Sequence, residues 1–158
     1  MGALPMHAIR FSPDMGLIYA DIQIRNPSRP ELLAIGAKAL VDTGANYLCV
    51  PSHLAVQLGL LDGGPLEMRD VRLADGSARA VPYVGPIQLR FKNRSCFVGA
   101  MVLGEQVLLG AIPLEDMDLV VLPSTMQLDV NPNSPNFPSA IAMQAAGSHP
   151  RLGHHLSP

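Results

Sequence analysis

The chain alternates between apolar and polar residues over several short stretches. The first runs from Ile18 to Arg25 and places four aliphatic side chains on one face (Ile18, Ala20, Ile22 and Ile24). A second runs from Ile35 to Val41, and a third has its apolar face on the odd-numbered positions from Val81 to Phe91. Successive side chains of a strand point to opposite faces, so this period of two predicts half-buried β-strands rather than helices. Pro82 and Pro86 indicate that the third is an edge strand or a bent one.

One dipeptide gives a strong turn signal. Asp75-Gly76 lies between a short apolar run at residues 71–73 and the stretch that begins near Ala78. This pair is the strongest local hairpin signal in the chain, so it predicts a β-hairpin with its tip at Asp75 and Gly76. The alternative interpretation is an ordinary surface hairpin with no functional role.

Helix signals are few. Ser52 is predicted to cap a short helix from His53 to Leu58, which Gly59 then ends. A second short helical turn is predicted to begin at Pro113, with two acidic residues in its first turn (Glu115 and Asp116). The pattern as a whole therefore predicts an all-β fold with one or two short helices.

The predicted strands and helices fall between residues 17 and 131, which we interpret as one domain. Residues 1–16 form an N-terminal segment, and Met1 to Met6 lacks the basic and then apolar pattern of a secretory signal. Residues 132–158 are rich in Pro, Gly and His, and we expect them to form a disordered tail, especially after about Phe137.

The composition disfavours two classes of binding partner, nucleic acids and membranes. The 158 residues include 11 Lys and Arg against 13 Asp and Glu, and aromatic residues make up 4%. A nearly neutral chain has little electrostatic attraction for nucleic acid or an anionic membrane, and few aromatic rings provide little base stacking. The longest apolar stretch, Phe97 to Ile112, is interrupted by Glu105 and Gln106 and is shorter than the about 20 residues of a spanning helix. We expect neither nucleic acid nor a membrane as a partner.

The two cysteines, Cys49 and Cys96, have neither CxxC nor metal-ligand spacing. In a chain without a secretory signal, buried thiols in a reducing compartment are expected rather than a disulfide. The expected location is therefore the cytoplasm.

The segment from Ala39 to Ala45 carries the candidate chemistry. Asp is a poor strand residue, yet Asp42 directly follows an apolar strand. Gly44 permits a tight turn and the close approach of another group, and the Thr43 hydroxyl can lie near the backbone of a neighbouring copy. Such a turn would present the Asp42 carboxylate at a strand end with little side-chain freedom. The alternative is an ordinary turn-forming aspartate.

These motifs resemble those of the retropepsin-like aspartic peptidases. Residues 41–45 (Val-Asp-Thr-Gly-Ala), a glycine-tipped hairpin and Leu108-Leu109-Gly110 before a short helix follow the order of that family. The segment from Leu108 to Glu115 is especially similar to small bacterial members. The resemblance covers about residues 17–131, and it implies a closed retropepsin-like β barrel that is active as a symmetric homodimer.

The resemblance also implies a role for each motif. Asp42 would be the catalytic aspartate, Gly44 would complete the catalytic motif, and Thr43 would join the hydrogen-bonded grip between subunits. The hairpin tip would be a flap over the substrate, and a strand from Met126 to Val130 would help to form the dimer interface. Substrate contacts are expected at seven residues: Ala45, Ala74, Asp75, Gly76, Ser77, Leu109 and Gly110.

The sequence departs from the retroviral pattern at two places. Asn46-Tyr47 stand where viral enzymes have acidic residues, and Ala111-Ile112 stand where they place an arginine. The Arg–Asp ion pair that braces the viral dimer is therefore expected to be missing. This affects the tightness of the dimer and the neighbouring subsites rather than the catalytic carboxylate.

A single Asp-Thr-Gly motif implies two chains. Peptide hydrolysis without a metal or a nucleophile needs one group that takes a proton and another that gives one. Two carboxylates at close range share a proton and can do both. The chain is too short for two homologous lobes, so we expect Asp42 of one copy to act as base and Asp42 of the other as acid. No metal or cofactor is expected, and the expected substrate is an extended polypeptide.

Other interpretations stay open. The fold can serve as a non-catalytic dimerisation or peptide-binding module, or as a peptidase dedicated to one target. Cys49, close to the motif, is interpreted as a core residue of an apolar strand rather than a nucleophile. The tail histidines (His149, His154 and His155) and the acidic residues near the second helix (Glu115, Asp116 and Asp118) are interpreted as solvated groups rather than metal ligands.

Overall fold

Alternating aliphatic residues form the first two strands. In the computed structural model, which describes residues 16–142, β1 (Ile18–Arg25) and β2 (Ile35–Val41) pair in antiparallel fashion. Ile22 and Ile24 are buried, whereas the alternate positions Asp21 and Gln23 are exposed. Both strands lie where the period of two predicts them, because each has one face towards the core.

Seven further strands and two short helices follow within residues 16–142. The strands are β3 (Leu48–Val50), β4 (Glu67–Arg72), β5 (Ala78–Phe91), β6 (Arg94–Val102), β7 (Leu108–Leu109), β8 (Leu119–Leu122) and β9 (Gln127–Val130). The helices are α1 (Ser52–Gln57) and α2 (Ala111–Asp116). The mostly β architecture with two short helices is therefore confirmed.

Six of the strands close into a barrel. Their order is β1-β2-β7-β3-β6-β5, and β1 closes the ring by pairing with β5 from Gln23 opposite Arg90 to Arg25 opposite Gln88. β2 and β7 are parallel, as are β3 and β6. β4 pairs with the first part of β5 outside this ring, so the two strands form a hairpin with its tip at residues 73–77. The hairpin predicted from Asp75-Gly76 is confirmed.

Aliphatic side chains from the barrel strands and both helices pack into one core. Ile24, Leu48, Val50, Ile87, Leu89 and Leu109 are all fully buried there. At about 25 cal/mol per Å² of apolar surface removed from water, each such side chain stabilises the fold by about 1.5–3 kcal/mol. This core fixes the strands whose ends carry the candidate site.

β5 does not keep one buried face along its length. Gly85 is exposed, and its neighbour Val84 is buried instead. The register between β5 and β6 shifts between Val84 and Ile87, and such a bulge exchanges the inward and outward faces of a strand. The prediction of a continuous apolar face from Val81 to Phe91 was wrong at this point. β5 is bent, as its prolines indicate, but it is hydrogen-bonded to other strands on both sides.

α1 ends as predicted but begins differently. Its N-cap residue is Pro51, and no side chain caps the helix, so the prediction of a Ser52 cap was wrong. Gly59 has φ +67° and follows the last turn, where its N–H donates to Val56 O (3.0 Å) while Leu60 N–H donates to Ala55 O (2.9 Å). A glycine with positive φ and this pair of bonds are typical of a helix C-terminus, so the predicted stop is confirmed.

α2 begins before Pro113. Its N-cap is Gly110, and its first residue is Ala111, so the start predicted at Pro113 was wrong. Glu115 and Asp116 accordingly lie in the last turn rather than the first. The reason is that backbone carbonyls of the loop after β2 accept the first free N–H groups of the helix, which need partners outside the helix.

The C-terminal part of the described chain lies against the barrel. β8 and β9 form a separate two-stranded antiparallel sheet, and the residues after β9 contact β6 and the loop before it. Arg94 donates a hydrogen bond to Ser134 O, and Asn93 Nδ2 donates one to Pro135 O (3.0 Å). The first part of the compositional tail is therefore attached to the domain. Residues 1–15 and 143–158, which include most of the predicted N-terminal segment and tail, lie outside the described residues.

No helix between residues 16 and 142 is long and apolar enough to cross a membrane.

Candidate active site

The loop that follows β2 holds Asp42 through its backbone. Asp42 N–H donates to Leu109 O (3.0 Å), which extends the parallel pairing of β2 with β7 by one residue. Ala45 N–H donates back to Asp42 O (3.1 Å), and Gly44 N–H donates to Asp42 Oδ1 (2.9 Å). The strand end, the turn and the carboxylate are therefore fixed together. We call residues 42–47 the Asp42 loop.

The junction of β7 and α2 clamps the far side of the Asp42 loop. Ala111 N–H donates to Ala45 O and Ile112 N–H donates to Asn46 O, both at 2.8 Å. Gly110 directly precedes the two donors and packs against the backbone of the loop. A Cβ on Gly110 would be 2.5 Å from Tyr47 O and 2.8 Å from Ala45 O, so no larger residue fits without moving the backbone.

Exposure differs within the motif. Asp42 is partly exposed, whereas Thr43 and Gly44 are exposed in the single chain. A Cβ on Gly44 would lie 3.3 Å from Asp42 Oδ1, so glycine leaves room for the carboxylate beside the turn. The structure thus brings together six of the predicted site residues at one place: Asp42, Thr43, Gly44, Ala45, Leu109 and Gly110.

The hairpin tip is a separate, exposed group. Ala74, Asp75, Gly76 and Ser77 are all exposed, and the hydrogen bonds of the tip are internal to the hairpin. Asp75 Oδ1 accepts from both Ser77 N (2.8 Å) and Ser77 Oγ (2.6 Å), and these bonds lower the pKa of Asp75. Gly76 has φ +90°, which the turn requires. The tip has a defined shape and projects from the barrel as an arm.

Two tyrosines connect the root of the hairpin to the Asp42 loop. The rings of Tyr47 and Tyr83 meet edge to face, with centroids 6.3 Å apart and planes at 78°. The guanidinium of Arg69, on β4, lies 3.9 Å from the centroid of the Tyr83 ring. Sequence reasoning did not single out this stack as functional, because its members are far apart in the chain and follow no common period.

Cys49 lies beside the Asp42 loop but is poorly suited to attack a substrate. It is half-buried on β3, opposite Leu108 of β7. Burial raises the pKa of the Cys49 thiol, and the charge of Asp42 raises it further. A nucleophilic cysteine needs a lowered pKa, so the position agrees with a core residue. The thiols of Cys49 and Cys96 are both free.

A second aspartate, Asp118, is surrounded by hydrogen-bond donors at the start of β8. Its Oδ1 accepts from Asn131 Nδ2 (3.0 Å), and its Oδ2 accepts from Ser134 Oγ and from Ser139 N (2.9 Å). These bonds lower the pKa of Asp118 to about 2. The interpretation of Asp118 as a merely solvated group was wrong, because it ties the segment after β9 to the domain.

The described residues contain no group of three or more His, Cys, Asp and Glu side chains placed to hold a metal ion. The tail histidines His149, His154 and His155 lie outside those residues.

Comparison of the chain with protein-family models finds no match, and comparison with curated proteins finds no similar one.

Proposed function

We propose that the protein is a retropepsin-like aspartic endopeptidase that hydrolyses extended polypeptides as a symmetric homodimer. The observation that carries the proposal is the position of Asp42. Its carboxylate stands at the end of a barrel strand, in a loop held from two sides by β7 and by the start of α2. A carboxylate held by backbone in this way is positioned before any substrate arrives, which is what acid–base catalysis needs.

The proposed chemistry requires two copies of this carboxylate. Asp42 of one copy takes a proton from water, and Asp42 of the second copy gives a proton to the oxygen of the scissile carbonyl. Two carboxylates at close range cannot both be ionised, so the pair holds one proton at working pH and titrates as a unit. Because the copies are identical, the two roles can exchange between turnovers. The dyad supplies both proton steps, so the proposal uses no metal or cofactor.

Two exposed features support a dimer. Thr43 and Gly44 are exposed in the single chain, next to Asp42, where a second copy would have to approach. Among residues 16–142, β8 and β9 form a sheet of two strands, so each has an edge without a strand partner there that can pair with a strand of another copy. The strand predicted at 126–130 lies at Gln127–Val130 within this sheet.

The projecting hairpin supports an extended peptide as substrate. An arm whose tip is exposed can close over a peptide, exclude water and offer backbone hydrogen bonds to it. The predicted substrate contacts at Ala74, Asp75, Gly76 and Ser77 belong to this arm, and those at Ala45, Leu109 and Gly110 belong to the floor beside Asp42.

Cleavage of a mixed peptide library tests the activity. Wild-type protein, Asp42→Asn and the surface control Asp21→Asn are incubated with the library between about pH 4 and pH 7, and mass spectrometry identifies the products. We expect cleavage by the wild type and by Asp21→Asn, its inhibition by a statine-type transition-state mimic, and none by Asp42→Asn. A dimeric wild type that cleaves nothing would contradict the proposal and favour a non-catalytic peptide-binding module.

Subunit mixing tests the shared dyad. The wild-type concentration is held constant while Asp42→Asn protein is added and the subunits exchange. If each site needs Asp42 from both copies, an equal amount of the variant lowers activity to about half, because mixed dimers are inactive. Added Asp21→Asn should instead increase activity. Activity that stays constant or rises as Asp42→Asn is added, with subunit exchange confirmed by native mass spectrometry, would show that mixed dimers are active and would overturn the dimeric mechanism.

A further inference from the structure

A surface cavity of about 590 Å³ lies beside the Asp42 loop. The loop itself, the root of the β4–β5 hairpin, β6 and α2 all border it. Its walls include two tyrosines, two large apolar side chains and two carboxylates: Tyr47, Tyr83, Phe97, Ile112, Glu115 and Asp116. This volume is within the range of sites that bind small groups.

The aromatic wall is formed by two packed tyrosine rings, and a cation of the chain itself already occupies one ring face. Gly99 makes room for Tyr83, since a Cβ at that position would lie 2.2 Å from the Tyr83 hydroxyl. The ring so placed stacks edge to face on Tyr47 and carries the Arg69 guanidinium 3.9 Å from its centroid. The ring faces of these tyrosines have the negative potential that attracts ammonium and guanidinium groups.

Two large apolar side chains at the rim of the cavity are exposed to solvent. Phe97 is 60% exposed and Ile112 is 43% exposed, and both border the cavity. Single exposed apolar residues are common, but two at one cavity with aromatic walls provide a surface for an aliphatic chain.

The carboxylates give the cavity its charge. Glu115 and Asp116 are exposed in the last turn of α2, and neither forms an ion pair within residues 16–142. The nearby Arg69 forms an exposed ion pair with Glu67 at 3.7 Å, which balances part of its charge. The apolar rim, the aromatic wall and the two carboxylates together are complementary to a side chain that has an aliphatic stem and a cationic end, such as Lys or Arg.

We propose that this cavity is a subsite for a Lys or Arg side chain of the substrate peptide, an inference that rests on the proposed peptidase function. Tyr47 lies in the same loop as Asp42, so a peptide that crosses the loop can place one side chain in the cavity. In a symmetric dimer the second copy has the same cavity on the other side of the dyad. Basic residues are therefore preferred at two positions, at equal distances before and after the cleaved bond.

Cleavage-site profiling tests the preference. From a library of random peptides, we expect Lys and Arg to be enriched at two such symmetric positions. Two peptides are then compared that differ only in Lys or Gln at the preferred position. The kcat/KM of the Lys peptide divided by that of the Gln peptide should fall about tenfold in Glu115→Gln/Asp116→Asn. In Glu115→Lys/Asp116→Lys the preference should reverse, so that a third peptide with Glu at the same position is cleaved faster than the Lys peptide. The control Glu105→Gln, at an exposed acidic position outside the cavity, should keep the wild-type ratio.

A binding measurement separates the subsite from the activity. Fluorescently labelled Lys and Gln peptides are titrated into the full-length Asp42→Asn protein, and the anisotropy is compared with that of Asp42→Asn/Glu115→Gln/Asp116→Asn. We expect the Lys peptide to bind about tenfold more tightly than the Gln peptide only when the carboxylates are present. If the wild type cleaves but neither measurement shows a basic preference, the subsite is wrong and the peptidase stands. If nothing is cleaved but the preference in binding holds, the subsite stands and the peptidase is wrong.

Discussion

Asp42 and Asp118 show how differently one domain can use the same side chain. Asp118 accepts hydrogen bonds from three donors on the segment that follows β9: Asn131 Nδ2, Ser134 Oγ and Ser139 N. Among residues 16–142 the Asp42 carboxylate accepts from one donor, the N–H of Gly44, and its loop is held instead through backbone atoms. One carboxylate serves to hold the chain, and the other is itself held by the chain.

The difference bears on chemistry. Each carboxylate has about four lone-pair positions, and those at Asp118 are largely used by neighbours that favour the ionised form. Its low pKa makes it a poor proton carrier between pH 4 and 7. Asp42 Oδ2 has no hydrogen-bond partner among the described residues, so it can meet water, a substrate or a second carboxylate. The Asp42 carboxylate is thus held in place while one of its oxygens stays free of hydrogen bonds from residues 16–142.

The largest expected difference is between the variants Asp42→Asn and Asp118→Asn, in which each carboxylate is replaced by an amide. Asp42→Asn is expected to lower kcat at least about 1000-fold, because it removes the proton-transfer group. Asp118→Asn is expected to keep kcat within about threefold of the wild type under conditions where it is folded. Peptide cleavage and urea unfolding of both variants check this contrast. Equal losses of activity would contradict it.

Gly110→Ala tests whether the backbone clamp positions Asp42. The new Cβ would lie 2.5 Å from Tyr47 O, so the loop must move away from β7. We expect a loss of about 1–3 kcal/mol in the free energy of unfolding and a fall of about 100-fold in kcat/KM from displacement of the carboxylate.

Gly63→Ala is the matched control, since a Cβ there meets nothing within 4 Å. It should change the unfolding free energy by less than about 0.5 kcal/mol. If Gly110→Ala kept full activity at a temperature where it is folded, the clamp would not be what positions Asp42.

Acid should weaken the Asp118 end of the molecule. The pKa of Asp118 is about 2 in the folded chain against an ordinary value of 3.8, so its contribution to stability is present above about pH 4. That contribution is lost as the pH falls from about 4 towards 2. The difference in unfolding free energy between the wild type and Asp118→Asn should therefore be largest near neutral pH and shrink below pH 4.

Urea unfolding followed by circular dichroism at pH 7, 4 and 2.5 measures that difference. Asp21→Asn, at an exposed position, should differ from the wild type by less than about 0.5 kcal/mol at pH 7. A difference for Asp118→Asn that stays constant at all three pH values would contradict the assigned role.

Thiol labelling gives the smallest effect. The charge of Asp42 raises the pKa of Cys49, whereas Cys96 has a pKa of about 12 from burial and the charge of Asp116. Asp42→Asn should therefore speed iodoacetamide labelling of Cys49 by about two- to threefold and leave Cys96 unchanged. Peptide mass spectrometry of partly labelled protein distinguishes the two cysteines. An unchanged Cys49 rate would mean that its pKa does not respond to Asp42.

The parts of the fold that were predictable follow local rules. β1 and β2 show a period of two because one face of each meets the core, and Asp75-Gly76 marks its hairpin because few other pairs adopt that turn. The position of Asp42 at a strand end was likewise visible in the sequence. The hydrogen bond from Asp42 N–H to Leu109 O, which pins the loop, was not predicted.

What was missed depends on contacts between distant residues. The bulge in β5 is decided by its pairing with β6, so the alternation around Val84 misled the prediction. Arg94 is buried because its guanidinium reaches Ser134 O, 40 positions further along the chain. The cavity lined by Tyr47 and Tyr83 likewise brings together residues of the Asp42 loop, β5, β6 and α2 that are far apart in the chain. No short window of sequence contains these relations.

The insertion of β7 between β2 and β3 has a consequence for the timing of synthesis. Leu109, which binds the backbone of Asp42, comes about 67 residues later in the chain. At about 5–20 residues per second, a ribosome adds those residues in about 3–13 s. Until then the nascent chain has Asp42 but lacks the strand that fixes it. The Asp42 loop is thus completed late, after most of the barrel strands have been synthesised.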